Sequence, residues 1–167
     1  MPASPPPDSP ARWVAWVSLV ARVILGGALL VAGIKKLLDL RQSVIAVQAY
    51  QLPIPYWLET VVGYGLPVVE VLLGGVIIAG LVTRWTAALG GLAMLAYIAV
   101  IISVWARGLS IDCGCFTPGG VILNEAQKTT YLQDILRDTG FLVCAVWLVI
   151  RPASRLSVDS WLSPDEE

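Results

Sequence analysis

Histidine is absent from all 167 residues. That excludes haem with histidine ligands, zinc sites built on imidazole, and nucleophiles activated by a histidine base. Charge is scarce too: Asp, Glu, Lys and Arg together make up 14% of the chain, well below the roughly one quarter usual in a soluble domain. A net charge of −1 with no basic cluster leaves no electrostatic footprint for nucleic acid. Cysteine occurs three times, too few for a four-ligand structural zinc when no histidine can complete the set. Whatever chemistry the chain performs must use thiols, carboxylates, Lys, Arg or a bound organic cofactor.

What the chain has instead is hydrocarbon. Hydrophobic residues make up 57% of it and the mean hydropathy is +0.76. The apolar residues gather into runs near the ~20 residues a helix needs to cross a bilayer. Four spans are predicted, about 13–34, 57–82, 85–105 and 131–150, forming an all-α integral membrane protein, an antiparallel four-helix bundle. Trp13, Trp16, Tyr56, Trp57, Trp85, Trp105 and Tyr131 fall at span ends, where an aromatic belt is expected. Small residues four apart, Ala28 and Ala32, Gly75 and Ala79, Ala87 and Gly91, predict faces where helices approach closely.

Residues 1–12, rich in proline, are expected to be a disordered tail, and 151–167 a short acidic one. The first run is longer than a signal-peptide core and is read as a span. Between spans one and two, Leu37 to Gln48 mixes apolar and polar residues as an interfacial amphipathic helix would, ended by Pro53 and Pro55. Four spans put both chain ends on one side and the 107–120 loop on the other. Counting Lys and Arg slightly favours a cytoplasmic loop. A disulfide-forming pair favours the opposite, and the expectation adopted is cytoplasmic termini with the loop outside the plasma membrane.

Two charges lie within predicted spans, Arg22 and Glu70. Each costs a few kcal/mol on insertion scales and so asks for a reason. In antiparallel neighbours joined at the loop side they come level and can pair, holding two helices in register; the other reading gives them a role in quinone or proton handling. Pro67 cannot donate to the carbonyl of Gly63, which predicts a bend near Glu70. Asp134, Arg137 and Asp138 share one helical face, either an inward cluster able to relay protons or a solvated first turn.

The loop RGLSIDCGCFTPGG carries Cys113 and Cys115. A Cys-Gly-Cys ring closes almost no chain, so as a structural disulfide it stabilises little. So small a ring is strained, and a strained disulfide is readily passed to another dithiol. Lys35, Lys36 and Arg107 lie on the same side and favour thiolate, whereas Asp112 opposes it at Cys113. Thiol exchange, an incidental disulfide that shapes a docking loop, and copper(I) binding by two thiolates all remain open. Cys144, deep in span four, reads as a small buried hydrophobe.

Four blocks in order, ARVILGGALLVAGIKKLLD, AYQLPIP, LPVVEVLLGG and RGLSIDCGCF, resemble those of MauE-type proteins of the DoxX superfamily, named for methylamine utilisation. The resemblance runs from about Arg22 to Ile150. It implies a four-helix membrane protein engaged in extracytoplasmic disulfide formation or transfer beside a thioredoxin-like partner. Carried over by position, it singles out Lys36, Glu70, Cys113 and Cys115, with Arg22 also matching. Here Phe116 is followed by Thr117 and Pro118, where the family block often continues with glycine.

The combined expectation is a thiol-disulfide oxidoreductase with site residues Cys113, Cys115, Lys36, Glu70 and Arg22. It would exchange with an extracytoplasmic thioredoxin-fold protein and pass electrons to a quinone, using neither haem nor zinc. The alternatives are a non-catalytic anchor or accessory subunit of a larger membrane redox complex, and a copper(I)-handling protein.

Overall fold

The computed structural model describes residues 10–109, 111–112, 120–121 and 130–151. They form five helices: α1 (Pro10–Leu38), α2 (Leu40–Ala49), α3 (Tyr56–Ala79), α4 (Thr83–Ala106) and α5 (Thr130–Ile150). Two short strands, β1 (Ile111–Asp112) and β2 (Gly120–Val121), pair antiparallel before α5. Apart from that pairing the described residues are all-α. Three helices, α1, α3 and α4, are long and apolar enough to cross a membrane. α5 has 21 residues but opens with Asp134, Arg137 and Asp138 before its apolar stretch. Both tails expected from the sequence fall largely outside the described residues.

Local chemistry sets the breaks. Asp39 caps α2 by accepting from the Gln42 amide at 2.9 Å. α3 ends in a Schellman turn: Gly80 takes φ +72°, its amide reaches the carbonyl of Ile77, and the Leu81 amide reaches that of Val76. The chain therefore reverses within three residues and α4 runs back beside α3. α4 closes the same way, with Gly108 at φ +68° and the Leu109 amide on the Val104 carbonyl. That second turn launches the segment leading to the cysteines.

Close packing of α1 on α3 is built on glycine. A Cβ on Gly26 would lie 2.9 Å from the Gly74 carbonyl oxygen, and one on Gly33 equally close to the Pro67 carbonyl oxygen. Seven residues forward on α1 thus match seven back on α3, an antiparallel contact that larger residues would force apart. Of the small pairs expected from sequence, Ala87 is fully buried and Gly91 faces Ala145, but Gly75 meets nothing within 4 Å. The contact runs through its neighbour Gly74 instead, because the α3 face is set by Gly63, Pro67, Glu70, Gly74 and Ile77, spaced at three and four residues.

Pro67 leaves the Gly63 carbonyl without its helical donor, and the Ser43 hydroxyl of α2 fills the vacancy at 2.8 Å. Gly63 lets α2 come close enough, since a Cβ there would lie 2.7 Å from the Val44 Cα. α2 is thereby fastened to the first half of α3. Leu25, Leu29, Ile77, Ala87, Met94, Ala145 and Leu148 make the principal core between α1, α3, α4 and α5. Of the residues expected in the aromatic belt, Trp13, Trp16, Tyr56, Trp57, Trp85 and Trp105 are exposed. Tyr131 departs from that expectation and is buried in a second core with Ile101, Val104 and Ile111.

Candidate functional site

The site grows from Gly33. With hydrogen for a side chain there, α3 comes close enough that a Cβ on Gly33 would lie 2.9 Å from the Glu70 Cβ. Lys36, one turn further along α1 on the same face, then reaches Glu70, and its Nζ donates to Oε1 at 2.6 Å. The Tyr97 hydroxyl of α4 donates to the same oxygen. Lys36 Nζ also stands 5.2 Å from the centre of the Tyr97 ring. The Glu70 side chain is 2% exposed and that of Lys36 11%. Charge pairing, a phenolic donor and a ring face together hold a carboxylate that hydrocarbon would otherwise expel.

Asp138 approaches from α5. Arg137 donates to Oδ1 of both Asp138 and Asp134 at 2.9 Å. The three side chains are 26% (Arg137), 12% (Asp134) and 3% (Asp138) exposed, so the cluster runs from the wet end of the helix inward. Of the two readings left open for this face, the structure has the inward placement of the first together with the local ion pair of the second. Asp138 and Glu70 line a common cavity with Ala32, Met94, Tyr97 and Phe141. Its volume, about 10 Å³, is near the room one water needs. Oε2 of Glu70 and Oδ2 of Asp138 are buried without a hydrogen-bond partner among the described residues.

The expected pairing of Arg22 with Glu70 is not what the structure shows. The glycine register puts Arg22 level with Ile78, eight residues from Glu70, or ~12 Å of helix rise. Equal lengths from a shared connection misplaced it, because α3 begins beside α2 and not at the end of α1. Arg22 is buried near the middle of α1, level with the last turn of α3 and one turn from Ser18. There the Trp147 indole donates to the Ser18 hydroxyl, which in turn donates to the Arg151 carbonyl. Lys36 and Glu70 are therefore brought together and Arg22 is not.

Cys113 and Cys115 lie outside the described residues, but the two ends of their loop do not. Ile111 pairs with Val121 and Asp112 with Gly120, and β2 lies beside α2. Tyr131 ties this root down: its hydroxyl donates to the Leu109 carbonyl and accepts from the Ile111 amide, both at 2.7 Å. Arg107 donates to the carbonyls of Tyr50 and Gln51 at 2.7 and 3.0 Å, joining the end of α4 to the end of α2. Cys144 carries no disulfide and is packed at the edge of the principal core.

Tyr97 and Tyr131 were not singled out as functional residues by the sequence reading. Tyr97 had a signal: on α4 it is the polar member of the inward stripe Gly90, Met94, Tyr97, Ile101 and Val104, spaced at three and four residues. Tyr131 had none, since an aromatic at a span end reads as belt.

Among known families, the model for methylamine utilisation protein MauE matches residues 14–151. No curated protein and no solved structure matches the chain.

Proposed function

The chain belongs to the MauE family of methylamine utilisation proteins, and from that membership we propose a membrane thiol-disulfide redox protein whose Cys113 and Cys115 exchange disulfides with an extracytoplasmic thioredoxin-fold partner. In this reading α5 is the fourth span of an antiparallel bundle, the termini are cytoplasmic and the Cys-Gly-Cys loop faces outward from the plasma membrane. The observation that carries it is the fastened root of the loop. Cys113 directly follows Asp112, whose backbone is paired to Gly120, and Tyr131 and Arg107 tie the segment before it to α5 and α2. A reactive pair on such a root meets its partner in one orientation, so less ordering is needed on docking.

In the exchange, a thiolate of the partner attacks the Cys113–Cys115 disulfide. A mixed disulfide forms, the second partner thiol displaces it, and the partner leaves oxidised. Two electrons and two protons then reside on the loop cysteines. The proposed acceptor is a quinone, which takes up two electrons and two protons when it is reduced. The cavity beside Glu70 has room for one water and not for a quinone ring, so no step is assigned to a quinone there. Lys36, Glu70 and Tyr97 form a polar centre at the loop end of α1 suited to moving those protons.

The test is alkylation of intact cells with a bulky membrane-impermeant maleimide, before and after reduction, in the wild type and in Cys144→Ser. Two labels that appear only after reduction are expected in both. Labelling that waits for lysis would overturn the outward loop, and labelling without reduction would overturn the oxidised pair. In the Cys113→Ser/Cys115→Ser variant the partner should accumulate in its reduced form while the helices stay folded; an unchanged partner redox state would sink the thiol mechanism.

A further inference from the structure

Glu70 and Asp138 come from helices that meet the cavity on different sides, and each turns one carboxylate oxygen to its partners and leaves the other without one. Oε1 of Glu70 carries both Lys36 and Tyr97; Oδ1 of Asp138 carries Arg137. The two remaining oxygens are buried acceptors with no donor among the described residues, beside a space of about 10 Å³. A water there could donate one hydrogen to each, which is what two orphaned acceptors on residues lining one small, largely apolar cavity call for.

Charge balance adds the second half. Among the described residues Glu70 on α3, Tyr97 on α4 and Asp138 on α5 line this space, and ion pairs tie Lys36 on α1 to Glu70 and Arg137 on α5 to Asp138 and Asp134. Lys35 is exposed, and Arg22 lies level with the last turn of α3. Among the described residues three carboxylates are thus linked to two cations, and a net negative charge kept largely out of water is costly. One proton neutralises the cluster. We propose that Glu70 and Asp138 hold a single water between them and share one exchangeable proton through it. The proton reaches bulk water by way of the Asp134 carboxylate, at the wetter end of the cluster. This site does not depend on the cysteines, and only its coupling to loop chemistry rests on the thiol reading.

The experiment is infrared spectroscopy of the whole protein in an ester-free detergent at neutral pH, reading the carbonyl stretch of protonated carboxylic acid. The wild type should show one such band, which moves when the sample is transferred to heavy water. The band should vanish in Glu70→Gln and in Asp138→Asn, where the two remaining carboxylates balance the two cations. It should gain intensity in Lys36→Met, where two protons are needed, and persist in Cys113→Ser/Cys115→Ser. Absence of the band in the wild type would overturn the proposal whether or not any variant folds. So would a band that survives both acid substitutions, or one that ignores heavy water. Failure of the thiol reading would leave all these spectra as expected, so the two claims fail separately.

Discussion

Glu70 is held by partners 34 and 27 residues away, Lys36 on α1 and Tyr97 on α4, whereas Asp138 is held by its own neighbour Arg137. Both acids are buried and both end at one cavity. The difference is in what each does for the fold. Glu70 exists as a buried anion only once three helices have docked, so its ties report tertiary structure. Asp138 keeps its cation however α5 is placed, so its ties report local helix geometry. One acid is a fastening between helices, and the other is a charge carried in ready-paired.

The sharpest way to break that contrast is at Glu70. Glu70→Leu strands the Lys36 ammonium in a largely dry site, and removal of one partner of a buried pair costs about 3–5 kcal/mol. Lys36→Met should do comparable damage. The double variant Lys36→Met/Glu70→Leu should recover most of the loss, because apolar side chains of similar size can replace a buried ion pair at little cost. Unfolding in detergent, read as a double-mutant cycle, checks it. Additive losses would show that the pair is not the fastening.

The same contrast explains what could be read from the chain. Asp134, Arg137 and Asp138 were legible as one helical face because their partnership lies within a single turn. The apolar runs placed α1, α3, α4 and α5 to within a few residues, and prolines after Tyr50 marked the end of α2. The partner of Glu70 was not legible from spacing, because it depends on the register of α1 against α3. That register is set by Gly26, Gly33 and Gly74, and by Ser43 anchoring α2 to the carbonyl Pro67 vacates. Lys36 is marked by its place on the loop side and by family resemblance, but not as the partner of Glu70, and Tyr97 is not marked at all. A phenol inside an apolar run carries no mark of the acid it meets until the helices are packed.

A smaller effect is expected on the local side. Arg137→Met takes the cation from Asp138 and Asp134 together, but Asp134 and the head of α5 stay near water, where charge is screened and solvated. A loss of about 1–3 kcal/mol is expected, with no rescue from any α1 substitution. Asp138→Asn added to Arg137→Met should restore part of it, since both members of the pair are then neutral. Some coupling of Lys36→Met with Arg137→Met follows from the proton the two acids share, whereas recovery of the Arg137→Met loss by an α1 substitution would break the division into fastening and local pair.

Tyr97→Phe offers the finest division. It removes one of the two donors on Oε1 of Glu70 while keeping the ring over which Lys36 sits. A neutral hydrogen bond contributes about 0.5–1.5 kcal/mol net, rising toward 1.5–3 when its acceptor is charged. Lys36 still holds the carboxylate at 2.6 Å, so a loss near 1–2 kcal/mol is expected. In the background of Lys36→Met/Glu70→Leu the same change should cost almost nothing, because the hydroxyl no longer has an acid to serve. A full cost in that background would place the value of the Tyr97 hydroxyl elsewhere. A larger cost in the wild type than in Glu70→Leu would make the phenol part of the fastening, and Glu70 a three-helix junction rather than one end of a pair.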